Sequence, residues 1–162
     1  MLLPHRLLRE RRVFVDSSVY LALLDIDDEH HSKATEMLQE LAQARYRQFT
    51  TNVLLIESHA LILSVLGRSQ AAQFLRDMQQ SNTVVIRVRA ADEERAKQIL
   101  FQYTDKDFSF ADATSFAVIE RFAIPLAFSF DRDFAQYIGK YLSGLRQLNP
   151  VSAPKEGFKA QL

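Results

Sequence analysis

The stretch "RRVFVDSSVYLALLD", Arg11 to Asp25, decides the architecture. A short run of β-branched and aromatic residues, Arg12 to Val15, reads as a buried strand ending on Asp16. The segment directly after it, "SVYLALLD", reads as a short helix. The same step from strand to helix recurs along the chain. "QFTT" leads into "NVLLIESHALILSVLG", which Thr51 or Asn52 can cap and Gly67 can end. "TVVIRV" precedes the helical "ADEERAKQILFQY", and "IPLAFSF", with Pro125 at its start, precedes "RDFAQYIG". Helices are also expected in "DEHHSKATEMLQELAQARY", with acidic residues in its first turn, in "SQAAQFLRDMQQ" and in "DKDFSFADATSFAVIERF". Short apolar strands alternating with helices specify an α/β domain whose central, mainly parallel sheet is covered on both faces.

The 162 residues, 48% of them hydrophobic, suffice for one core. Residues 1–12 read as a basic tail feeding the first strand, 13–148 as the domain, and 149–162 as a loose tail. A short edge strand is possible between Leu142 and Leu162. The chain has no cysteine, which excludes thiolate catalysis, disulfides and cysteine-ligated metals. Together with the lack of any apolar run long enough for a membrane or a signal peptide, this suits a cytoplasmic protein. Lys and Arg number 20 and Asp and Glu 20, so any nucleic-acid binding must use a local basic patch. Fourteen of the 20 basic residues are Arg, the side chain best shaped for phosphate and carboxylate.

Four acids stand in awkward places. Asp16 and Asp131 each follow a strand directly, where open parallel sheets bind ligands. Each is also a plausible helix cap. Asp112 fits a capping box with Ser109. Glu57 is flanked at helical spacing by Val53, Leu54, Ala60 and Leu61, on a helix so apolar that burial is expected. Carboxylates about 4 Å apart repel by roughly 4 kcal/mol at an effective dielectric near 20, so a cluster of the four needs a cation or raised pKa values. Hard oxygen donors select Mg²⁺ or Mn²⁺, ions suited to phosphodiester hydrolysis.

The motifs "FVDSS", "TTNVLLIES", "DFSFADATSFAVIER" and "AFSFDRDF" resemble the four acidic motifs of PIN-domain ribonucleases, in particular the VapC-like toxins of toxin–antitoxin pairs. The resemblance runs from Val13 to Ile138. It implies a three-layer α/β/α sandwich and endonucleolytic cleavage of RNA with Mg²⁺ or Mn²⁺. It further implies a homodimer and a cognate antitoxin protein. Asp16, Glu57, Asp112 and Asp131 occupy the catalytic quartet, with Asp16, Asp112 and Asp131 as metal ligands. Asp133 stands where some members carry an additional acid.

Other readings compete. "DIDDEHHS", Asp25 to Ser32, lacks the His spacing of a zinc protease and reads as a loop entering an acidic helix start. His59, among Leu55, Ile56, Ile62 and Leu63, reads as a core histidine. Arg132 and Lys106 lie beside Asp131 and Asp107 and can face phosphate or solvent. "DRD" at 131–133 resembles the haloacid-dehalogenase motif but follows a late strand, and "TVVIRV" lacks the acceptor Asp of a receiver domain. A PIN-like module that binds RNA or protein without cutting is the alternative from another class. Asp92, at the start of "ADEER", reads as an acid outside any apolar or motif context.

Overall fold

A computed structural model describes residues 11–143, with side chains described as far as Ile138. Four strands, β1 (Arg12–Val15), β2 (Arg47–Thr51), β3 (Val84–Ile86) and β4 (Leu126–Phe128), form one sheet in the order β3-β2-β1-β4. All three pairings are parallel, with Phe14 opposite Phe49 and Ala127. The helices are α1 (Ser17–Leu24), α2 (His31–Gln43), α3 (Asn52–Leu66), α4 (Arg68–Gln80), α5 (Ala90–Gln102), α6 (Phe110–Phe122) and α7 (Arg132–Ser143). Residues 1–10 of the expected basic tail, the proposed edge strand and residues 149–162 lie outside the described residues, whereas Arg12, assigned to that tail, opens β1.

The period-two alternation of the strands splits the core in two. Val13, Val15, Leu126 and Phe128 pack with Val19, Met37 and Phe74 from α1, α2 and α4. Phe14, Phe49, Ile86 and Ala127 face the other way, onto Ile99, Phe116, Ile119 and Phe134 from α5, α6 and α7. The expected three layers are present. They follow from chain order: successive right-handed crossovers build β1, β2 and β3 outward with their helices on one face, and the return to β4 places α5 and α6 on the other. Neighbouring strands β1 and β4 therefore send their chains to opposite faces. The crevice that opens between their carboxyl ends is where Asp16 and Asp131 stand.

Several boundaries differ from the sequence reading. The strand expected over 83–88 stops at Ile86, because the Val88 amide donates to Asn52 Oδ1 (2.8 Å) instead of extending the ladder. α2 begins at His31, without acids in its first turn. The acids before it form turns, with Asp25 Oδ1 accepting from the Asp27 amide and Asp28 Oδ1 from the His30 amide. α3 is not buried all round: Ile56 is 68% and Val65 53% exposed, whereas Leu54, Ser58 and Ile62 face inward. His59 is half-buried on this helix.

α6 is held at both ends. The Arg12 guanidinium donates to the carbonyls of Phe122 and Ala123 (2.9 Å each), occupying acceptors that the helix C-terminus leaves open. Ala123 itself takes a left-handed conformation (φ 49°), which turns the chain toward β4. Along its length Arg121 forks onto Asp92 (2.7 and 2.8 Å), and Glu120 accepts from both Arg95 and Tyr137.

Asp92 is thus not the isolated surface acid that its sequence context suggests. It is 3% exposed, caps α5 by accepting from the Arg89 amide, and pairs with Arg121. Burial pushes its carboxyl up, but the Arg121 fork and the Arg89 amide outweigh this and hold it below the usual carboxylate range. Asp92→Asn leaves Arg121 without its ion partner and is expected to cost about 2–4 kcal/mol. A fall in Tm of only a degree or so by differential scanning calorimetry would show that α5 and α6 do not depend on the pair.

Candidate active site

β1 delivers Asp16 to the carboxyl edge, where it is 3% exposed. Only one of its oxygens is occupied. Oδ2 accepts from Ser18 Oγ (2.7 Å), from Ser129 Oγ (2.8 Å) and, at 3.4 Å, from the Ser18 amide. Oδ1 is buried with no hydrogen-bond partner among the described residues. The capping reading of Asp16 therefore accounts for one oxygen and leaves the other aimed at nothing. Burial raises its pKa, and the hydrogen bonds from Ser18 and Ser129 only partly offset this.

The two serines also fix the opposite wall. Ser129 Oγ accepts from the Asp131 amide (3.0 Å), and Ser18 Oγ accepts from the Phe130 amide (3.1 Å). The loop after β4 is thereby tied to Asp16 through two hydroxyls. Asp131 Oδ1 caps α7 by accepting from the Phe134 amide (2.9 Å), and Asp131 is otherwise exposed. Sequence reasoning missed Ser18 and Ser129 as participants. The available signal was a serine beside each strand-end acid, in "VDSS" and "FSFD".

Asp112 does form the expected capping box: its Oδ2 accepts from the Ser109 amide, and its own amide donates to Ser109 Oγ, both at 3.0 Å. The box is not the whole account. Burial, helped by the charges of Asp16 and Asp131 and opposed by the hydrogen bonds with Ser109, lifts its pKa to about 6. Three of the four acids thus share one electrostatic environment at the mouth of the β1–β4 crevice.

Glu57 is half-buried on α3, and its Oε2 is enclosed with no hydrogen-bond partner among the described residues. The expected alternative, a buried ion pair with an Arg, is absent there. Among the described residues no hydrogen bond or ion pair ties Glu57 to the other three acids, and Asp133 is half-buried in the first turn of α7. Among the described residues, no three Asp, Glu or His side chains crowd into a ready-made metal cage. The bare Oδ1 of Asp16, with Asp112 and Asp131 in the same electrostatic environment, is nonetheless the chemistry of hard oxygen donors that suits a hard cation. Such an ion keeps several waters and needs few direct protein ligands.

Asp112 gives a pH signature. A carboxyl raised above its unfolded value costs the fold nothing below pH ~4, and costs progressively more as pH climbs through ~6. Without added metal, wild type should lose on the order of 2 kcal/mol relative to Asp112→Asn between pH ~4 and ~7. Parallel stability–pH curves for the two proteins in urea titrations would rule out the coupling.

The profile of the PIN domain family matches residues 13–140. The "23S rRNA-specific endonuclease VapC20" of Mycobacterium tuberculosis is 32% identical over 124 residues, which cover 76% of this chain and 92% of that protein. The crystal structure of Mycobacterium tuberculosis VapC20, described as a Sarcin-Ricin loop cleaving toxin, superposes with a TM-score of 0.71 at 31% identity. It covers 77% of this chain and 94% of its own. Neither haloacid-dehalogenase nor receiver architecture is needed to explain a parallel sheet with acids at its β1 and β4 ends, and this chain belongs to the PIN-domain family.

Proposed function

We propose that the protein is a Mg²⁺- or Mn²⁺-dependent endoribonuclease, the toxin of a toxin–antitoxin pair acting in the cytoplasm. The observation that carries this reading is the enclosed, unpartnered Oδ1 of Asp16 beside an Asp112 whose pKa is raised to about 6. A purely structural acid has its oxygens hydrogen-bonded, because an enclosed unpaired polar atom costs about 1–3 kcal/mol. Here the serines saturate Oδ2 and leave Oδ1 bare, an arrangement that makes sense when the partner arrives with the substrate.

Asp16, Asp112 and Asp131 would hold the cation. Once bound, it polarises a phosphodiester and lowers the pKa of an attacking water. Asp16 supplies the bare oxygen, oriented by Ser18 and Ser129. Asp112 supplies the oxygen its capping box does not use. Glu57 offers Oε2 as an acceptor that orients a water at the edge of the crevice, and Asp133 stands by on α7. A binding-only PIN module would have no use for three carboxyls held against their mutual repulsion. The similarity to an rRNA-specific endonuclease supports RNA as the polymer cut and a cognate antitoxin as protein partner. Among the described residues no helix is long and apolar enough to cross a membrane.

Purified protein with Mn²⁺ should cleave RNA, and EDTA should abolish the cleavage. Asp112→Asn should lower the rate by orders of magnitude while folding normally, because Asn keeps part of the cap. Asp77→Asn serves as the control, since Asp77 is exposed on α4 and bonds only Gln73 there (2.7 Å). A folded Asp112→Asn protein that cuts near the wild-type rate would refute the metal role.

The outer face of α3 supports the expected homodimer. Ile56 and Leu63, with Ala60 between them at helical spacing, present apolar surface to solvent in the single chain. Sedimentation equilibrium at tens of micromolar should give twice the mass of one chain, and Ile56→Glu should return the monomer. A monomeric wild type would remove this face as the dimer contact.

A further inference from the structure

A chain of zero net charge needs a local basic patch to hold RNA, and the charges at the carboxyl edge of the sheet are unevenly laid out. Beyond β4 the edge is acidic: the α1–α2 loop carries Asp25, Asp27, Asp28 and Glu29 in sequence, and its His30 ring stacks on Phe130 (4.3 Å between centroids, 3° apart). The cations beside the site are compensated in sequence. Lys106 sits between Asp105 and Asp107, and Arg132 between Asp131 and Asp133. Arg95, Lys97 and Arg121 are all engaged in ion pairs.

Two arginines at the other end of the edge differ. Arg87 and Arg89 directly follow β3, and both are exposed. Val84, Ile86 and Val88 pack toward the α5–α6 layer, so alternation turns Arg87 and Arg89 together to the opposite side. Arg89 remains extended (φ −106°, ψ 163°), which continues that alternation. Neither guanidinium forms an ion pair among the described residues. The nearby acid Asp92 is paired with the Arg121 fork; Arg89 donates its backbone amide to it and adds a weaker attraction through its charge, without an ion-pair contact. Glu93 and Glu94 lie further along α5, and Glu94 is paired with Lys97. The Val88 amide bond to Asn52 pins the segment between the two arginines to the start of α3.

We propose that Arg87 and Arg89 form a phosphate-binding subsite that receives the RNA backbone beside the scissile position. This rests on the RNA-cleaving reading above and adds to it a direction for the strand. β3 lies two strands from β1, and strands are about 4.8 Å apart, so the pair stands roughly 10 Å along the edge from Asp16. That spacing suits a phosphate one or two nucleotides from the one being cut. Phosphate is repelled by the acidic loop beyond β4 and attracted to two exposed arginines that hold no ion pair among the described residues, so the backbone leaves the crevice toward β3. Arginine suits the task because its fork matches phosphate in two-point contacts.

The test is the salt dependence of RNA binding. Full-length protein carrying Asp112→Asn, which leaves the RNA uncut, is titrated with Mg²⁺ present against a short fluorescein-labelled RNA stem–loop, and anisotropy is read at several salt concentrations. Replacing both Arg87 and Arg89 with Gln should weaken binding about tenfold and flatten the log–log salt slope by about 1.4, two phosphates at ~0.7 each. Lysine at both positions should preserve the slope, which a change in folding would not. Arg45→Asn with Arg47→Gln, at the amino end of β2, removes the same charge far from the crevice and should leave the slope unchanged. An unchanged slope in the Arg87/Arg89 double variant, or an equal loss in the control pair, overturns the subsite. Failure of the parent protein to bind the RNA at all overturns the RNA-cleaving reading, and the subsite with it.

Discussion

The asymmetry of one carboxylate organises the functional edge of this molecule. Asp16 spends Oδ2 on two serine hydroxyls and keeps Oδ1 enclosed and bare. Those hydroxyls pass the constraint on, since each also accepts a backbone amide from the loop that carries Asp131. A displacement of β4 relative to β1 would break these bonds and strand a buried negative charge. The register of the two strands and the shape of the site are therefore one constraint. Oxygens fixed in this way lose little freedom when a cation binds, which is how a rigid scaffold raises affinity without adding ligands.

Much of this was legible in the sequence because short strands and strand-end acids are local signals. "VFVD" and "LAFSFD" announce both the strand and the position of its acid. The Thr51 cap and Gly67 terminator of α3 were equally readable, and both are present. Long-range pairing was not readable. Asp92 looked like an ordinary first-turn acid, because Arg121 lies 29 residues away and no local pattern marks the pair. The exposure of α3 was misjudged for a related reason. Apolar composition shows that a helix wants to be covered, but not whether the same chain supplies the cover.

At Asp112 the capping role leaves room for the proposed metal-binding role. A capping box needs one carboxylate oxygen, and a carboxylate has two. The helix start also provides a favourable place for negative charge, which partly offsets the repulsion from Asp16 and Asp131. The far end of the same helix is clamped by Arg12 at the amino end of β1, whose carboxyl end bears Asp16. The spacing of the two acids is therefore set by the length of one strand against one helix.

The bond between Ser129 and Asp16 joins residues 113 positions apart, the end of β1 to the end of β4. During synthesis, a chain that has not yet reached β4 lacks both Ser129 and Asp131, and Asp16 then has only Ser18 to hold it. No chain shorter than 131 residues from the amino end carries all of these groups. Closing so long a loop is also slow, because its entropy is lost before the contact repays it. The topology therefore ties the assembly of this acidic edge to the docking of β4, late in the order of synthesis.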